Sequence, residues 1–249
     1  MPYTAILLNT FTNKGKFMER NIGKRTLVFL HIGKTAGTQI EHISNKLISY
    51  GVDIKKAGHD LKLKSIKGEL PYFFSIRDPA QRFKSGFYSR KRKGQPRLYV
   101  EWSKFEAIAF NEFEHANDLA EALLQNDKKG LNARAAIKAI RHTGMQQVDW
   151  FEGVAFLDQR PPMHIIRQEY FNNDMQELIN SLGVDLKVES LITTDPKSAH
   201  KNNYQGAPDL SELAIHNLSQ WYMQDYYFYK QCEEWLKKKE IANQVTNQT

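Results

Sequence analysis

The stretch that decides the fold is "TLVFLHIGKTAGTQIEHISNKL", residues 26–47. Its first seven residues are an unbroken apolar, β-branched and aromatic run. Such a run reads as a strand buried on both faces, as in a parallel sheet. After a turn of small residues, Ile40, Ile43 and Leu47 recur at helical spacing, and Gly51 supplies the stop. A buried strand, a small-residue loop and a helix N-terminus make an anion site. Backbone N–H groups point out of the first helical turn, and the helix dipole favours negative charge there. Gly37 allows close approach to a ligand, Thr35 and Thr38 add hydroxyls, and Lys34 adds a full positive charge.

The nucleotide-triphosphate loop requires G-x-x-x-x-G-K-[ST]. Here Lys34 precedes the turn, and Val28 stands where the first glycine belongs. A phosphate or its analogue fits better than a nucleoside triphosphate.

Working outward, "VDIKKA" (52–57) is a weak second strand and "YFFSI" (72–76) another buried one. In "RDPAQRFKSGFYSRKRKG" (77–94), Asp78 is placed to cap a helix with Pro79 at its first position, and Gly94 and Pro96 end it. Strand–helix–strand–helix implies an α/β fold: one domain over 1–249 with a mostly parallel sheet flanked by helices. Residues 1–24 read as an extension and 240–249 as a frayed tail. The region from Trp102 to Thr143 is helical, "MHIIRQE" (163–169) is a late parallel strand, and "NNDMQELINSLGV" (172–184) a further helix. Residues 193–208 form a polar loop. Beyond it come two helices broken near Gln224–Asp225, with Leu210, Leu213, Leu218, Trp221 and Tyr222 assigned to the core.

Arg77 stands at the carboxyl end of a buried strand, where open α/β sheets bind ligands. Arg82 and Ser85 are three apart on the next helix and share a face. An arginine fork with a hydroxyl is a receptor for a terminal phosphate. Two anion sites at the ends of two strands imply one ligand with phosphates at two places. Phe83 and Phe87 read as core, and "SRKRKG" (89–94) as an exposed helix end with cations complementing the dipole.

The chain of 249 residues has one cysteine and a net charge of +7. The single cysteine excludes an internal disulfide, and no apolar stretch has the length of a membrane span. With no secretory leader evident in the first residues, the expected location is cytoplasmic. The basic balance, with a pI of about 9.3, biases the partner toward an anion.

"HIGKTAGT" and "RDPAQRFKSGFY" together resemble the motifs of the PAPS-dependent sulfotransferases, carbohydrate branch (PAPS is 3′-phosphoadenosine 5′-phosphosulfate). Gly33 replaces that family's usual proline, which is expected to loosen the loop. The resemblance implies that Lys34, Thr35, Ala36, Gly37 and Thr38 hold the 5′-phosphosulfate, and that Arg77 and Ser85 hold the 3′-phosphate. It implies that Lys201 and Asn202 close over the donor, that Lys34 stabilises the leaving oxygen, and that no metal is required. It also implies a base on the segment after the first helix. His59 is the expected base there, with Asp60, Glu41 and His42 as alternates. His31 reads as a core histidine. The expected acceptor is a hydroxyl on a carbohydrate, an anionic one among the options, bound in a cleft shaped by residues 96–145; nucleic acid is not an expected partner. Two other readings remain at this stage: a nucleotide-dependent phosphotransferase, and a non-catalytic module that binds polyanions through "SRKRKG".

Overall fold

The computed structural model describes residues 6–11, 17–22, 25–96, 98–193, 204 and 206–246. Lys201 and Asn202 lie outside the described residues.

Two strands, β1 (Ile6–Phe11) and β2 (Phe17–Ile22), pair antiparallel as a separate two-stranded sheet. Part of the expected extension is therefore a hairpin. Next come β3 (Arg25–Leu30), α1 (Gly37–Leu47), β4 (Val52–Lys56), β5 (Tyr72–Ile76) and α2 (Pro79–Lys91). The middle region holds α3 (Lys104–Glu112), α4 (Ala116–Ala122) and α5 (Lys128–Ala139). After the short α6 (Phe156–Gln159) follow β6 (His164–Arg167), α7 (Phe171–Ser181), α8 (Val188–Leu191), α9 (Glu212–Trp221) and α10 (Met223–Thr246).

The central sheet has the order β4-β3-β5-β6, and every pairing is parallel. The α/β architecture is as expected. The buried parts of its inner strands, Leu27–Leu30 of β3 and all of β5, are almost wholly apolar because both faces are covered, whereas edge strand β4 carries the exposed Lys55 and Lys56. On one face Leu27, Phe29 and Phe73 pack with Ile40 and Ile43 of α1 and Met175 and Leu178 of α7. On the other, Leu30, Phe74 and Ile165 pack with Trp150, Phe151 and Phe228 of α10. A third core joins α2, α3, α4, α5 and α9 through Phe83, Phe87, Phe110, Leu119, Ile137 and Leu218.

Some expectations change. Leu213 is 53% exposed, because its helix turns it away from the face that buries Ala214 and Leu218. The break between the last two helices falls at Tyr222, two residues before the expected point. Helix α10 continues to Thr246, so most of the expected frayed tail is helical. Among the described residues, no helix is long and apolar enough to cross a membrane.

Candidate functional site

The loop between β3 and α1 departs from relaxed backbone geometry at two residues that have side chains. Lys34 has φ 72° and Ala36 φ 68°, both in the left-handed region. Such conformations cost free energy and persist where the surroundings over-determine them. Ala36 is the N-cap of α1 and supplies no side-chain cap, so the helix start depends on other acceptors for its first-turn donors.

The surroundings here are specific. Gly33 donates nothing to flexibility: its carbonyl accepts from Arg82 Nε at 3.0 Å. A loop expected to be looser for want of a proline is pinned instead. Gly37 is needed for a reason internal to the protein. A Cβ there would stand 1.9 Å from His31 Nε2.

Thr35 is completely buried. Its hydroxyl donates to the Ile32 carbonyl at 2.7 Å and pairs with Ser75 Oγ at 2.8 Å. The expected hydroxyl donor to a ligand is thus spent on joining the loop to β5; what Thr35 can offer a ligand is backbone. Arg82 is corrected in the same way. It is 2% exposed, donates from Nη1 to the Met145 carbonyl at 2.8 Å, and lies 4.0 Å from Asp225 of α10. It braces the loop from behind and, unlike Ser85, is not among the residues that line the cavity.

Arg77 follows β5 directly, and its backbone is clamped by one side chain. Gln147 Oε1 accepts from Arg77 N at 3.0 Å, and Gln147 Nε2 donates to Arg77 O at 2.8 Å. Asp78 caps α2 as expected, accepting from Gln81 N at 2.9 Å. Burial raises its carboxyl above the usual range, opposed by the Gln81 N–H.

These elements surround a cavity of about 910 Å³ at the carboxyl ends of β3, β4 and β5. Lys34, Ala36, Gly37, Thr38, His59, Arg77 and Ser85 all line it. The sheet order sets their relative places. The segment after β4, with His59, and the segment after β5, with Arg77, lie on opposite flanks of the Lys34 loop.

The lining also contains residues the sequence reading missed. Ser89, Arg90 and Arg92 of "SRKRKG" face the cavity rather than solvent. Arg141, His142 and Lys56 join them, and His31, expected in the core, lies with its ring centroid 4.0 Å from that of His59. Glu41 also lines the cavity, ion-paired with Lys56 at 2.7 Å. Leu98 and Val100 make up more of the wall, so part of the 96–145 region lines this cavity.

Charge is one-sided. Among the described lining residues, six are cationic (Lys34, Lys56, Arg77, Arg90, Arg92, Arg141) and one is acidic (Glu41). Arg90 is balanced from behind by Glu106 of α3, with Nε 2.7 Å from Oε1 and Nη2 2.9 Å from Oε2. Burial works against the Glu106 charge, but hydrogen bonds from Arg90, Ser103 N and Arg141 N outweigh it and hold the carboxyl at about 2.

Lys34 registers the excess. Its pKa falls to about 8, first by burial and then by Arg92, Arg90, Arg141 and Arg77. A group of cations that weaken one another is a receptor for an anion, which restores each charged form. His59 is lowered below its ordinary value by burial, then by Arg141, Lys56 and Lys34, with Asp60 opposing. It is therefore neutral near pH 7 and able to accept a proton.

No family model and no curated protein matches the chain.

Proposed function

We propose that the protein is a sulfotransferase that moves a sulfuryl group from PAPS to a hydroxyl of a carbohydrate. The reading starts from the likeness of "HIGKTAGT" and "RDPAQRFKSGFY" to the motifs of PAPS-dependent sulfotransferases. The observation that carries it is the convergence of both motifs on one cationic cavity, with a neutral histidine on the flank away from Arg77. The residues fit a donor with two anionic groups: one cluster at Lys34, Ala36, Gly37 and Thr38, another at Arg77 and Ser85.

PAPS supplies a sulfuryl group on its 5′-phosphate. In the proposed step, His59 takes the proton of the acceptor hydroxyl as that oxygen bonds to sulfur, and the sulfur–oxygen bond to the 5′-phosphate breaks. The products are a sulfate ester and adenosine 3′,5′-bisphosphate. Lys34 stabilises the charge that develops on the departing phosphate oxygen. Because Lys34 is crowded by other cations, its interaction with that growing negative charge strengthens during the step, which is the condition for raising kcat.

The inward-facing Ser89, Arg90 and Arg92 favour a discrete anionic ligand over a polyanion lying on the outer surface. A thermal-shift titration with adenosine 3′,5′-bisphosphate, without and with magnesium, followed by transfer from labelled PAPS to a glycan panel, tests the reading. Stabilisation that needs magnesium and prefers ATP would replace it with a phosphotransferase. Salt-sensitive heparin binding without any response to the nucleotide would replace it with a polyanion-binding module.

A further inference from the structure

The segment after α5 carries His142 into the cavity with φ 77°, a conformation that residues with side chains seldom adopt. It is clamped on both sides. Before it, Arg141 N donates to Glu106 Oε1 at 3.1 Å. After it, Thr143 is fully buried, its hydroxyl 2.5 Å and 2.8 Å from the carbonyls of Ile137 and Ile140. The Thr143 carbonyl accepts from Tyr222 OH at 2.6 Å. Strain held by contacts from α3, from the end of α5 and from the junction of α9 and α10 is strain that the fold maintains, and such strain gathers at functional sites.

What it positions is the ring. A Cβ on Gly33 would stand 3.0 Å from His142 Nδ1, so the imidazole lies against the first residue of the "GKTAGT" loop. Its centroid is 6.0 Å from that of His59. Burial, then Lys34 and Arg141, keep it neutral, and a neutral imidazole has one N–H to donate.

We propose that His142 is a second catalytic residue of this site, donating a hydrogen bond to the anionic group held between the Lys34 loop and His59. That the group is a sulfuryl in transfer rests on the proposed function; the contact with an anion does not. No bond to the imidazole forms or breaks. The donor strengthens its hold as oxygen charge changes in the transition state, the action of an oxyanion hole.

Two variants test this. His142→Gly removes the imidazole and tolerates positive φ. His142→Asn also tolerates it and restores an amide donor. With labelled PAPS, H142G is expected to lose roughly a hundred- to a thousandfold in kcat, the usual cost of one such donor. Its unfolding temperature should match or exceed that of the unaltered protein, and H142N should regain at least about tenfold of the lost rate. Wild-type turnover in H142G would overturn the proposal.

A second readout does not depend on turnover. The imidazole Cε1–H resonance of His142, identified by its absence from both variants, should move when sulfate is added to the protein saturated with adenosine 3′,5′-bisphosphate. A resonance that stays in place overturns the contact. If the resonance moves but no sulfuryl group is transferred from PAPS to any glycan, the proposed function falls and the anion contact stands.

Discussion

Lys34 and Ser89 meet across the cavity, with the lysine Nζ donating to the serine hydroxyl at 2.5 Å. They are 55 positions apart, on the loop after β3 and on the last turns of α2. The contact ties the proposed leaving-group cation to the helix that carries the expected 3′-phosphate site.

The first prediction concerns protons. Lys34 sits at about 8 in the ligand-free protein, so a sizeable fraction is neutral at pH 8.5. An anion favours the charged form, and binding should draw a proton from solution. Calorimetric titration with adenosine 3′,5′-bisphosphate in buffers of different ionisation enthalpy should show net proton uptake at pH 8.5, fading by pH 6.5. Identical heats in all buffers at pH 8.5, after correction, would contradict it.

The same lysine should trade stability for function. Its folded pKa lies below its ordinary 10.5, so below about pH 8 the folded state carries a charge that burial disfavours. This destabilisation is fully present below pH 8 and disappears as pH rises past the unfolded value. Lys34→Met should therefore raise the ligand-free unfolding free energy near pH 7, on the order of 1–3 kcal/mol, and reduce turnover far more than nucleotide binding. Undiminished turnover in this variant would remove Lys34 from the chemistry.

Arg77 should read the 3′-phosphate. A charged hydrogen bond contributes about 1.5–3 kcal/mol, or roughly ten- to a hundredfold in affinity. Arg77→Ala should weaken adenosine 3′,5′-bisphosphate by that factor and leave AMP nearly unchanged. Equal losses for both nucleotides would mean that Arg77 does not contact the 3′ group.

His59→Ala should lower kcat by roughly a hundred- to ten-thousandfold while leaving the thermal shift with adenosine 3′,5′-bisphosphate intact. Because burial and then Arg141, Lys56 and Lys34 lower the His59 pKa from 6.5, the base is neutral over a wider range. The acid limb of kcat/KM should have its midpoint below 6.5 and should be absent in the variant. A variant that keeps rate and profile would move the search to Glu41, which also lines the cavity.

Glu106 should matter to folding. Arg90 is 4% exposed and Glu106 is its carboxylate, so Glu106→Ala leaves a buried charge unpaired, at a cost of about 3–5 kcal/mol in a chemical-denaturation experiment. The folded pKa is depressed to about 2, so the stabilisation is present above the unfolded value and is lost as pH falls toward 2. The variant should accordingly show a shallower loss of stability on acidification. A change within about 0.5 kcal/mol would mean that Arg90 finds another partner.

The sequence by itself determined what depends on neighbours in the chain. The apolar, β-branched and aromatic run before a small-residue turn settles a buried strand, and the spacing of Ile40, Ile43 and Leu47 settles which face of α1 is covered. Asp78 and Pro79 settle where α2 begins, since capping needs only a side chain and an N–H three residues on. The gathering of Lys34, Arg77 and Ser85 was legible too, because parallel strands bring the segments after them to one edge.

Only the tertiary structure decided which basic groups face the cavity. Arg82 and Arg90 belong to the same helix and differ little in sequence context, yet Arg82 turns to Gly33 and Asp225, while Arg90 lines the cavity with Glu106 behind it. Their carboxylates come from other helices, α10 for Arg82 and α3 for Arg90, the first far along the chain and the second 16 residues on. His142 was illegible for the same reason. Its strained backbone is held by Glu106, Tyr222 and the end of α5, so its place exists only once those helices have packed. A side chain's direction in a helix follows from local geometry, but the charge or wall it meets there is supplied by distant elements, and that meeting sets whether a cation braces the fold or faces a ligand.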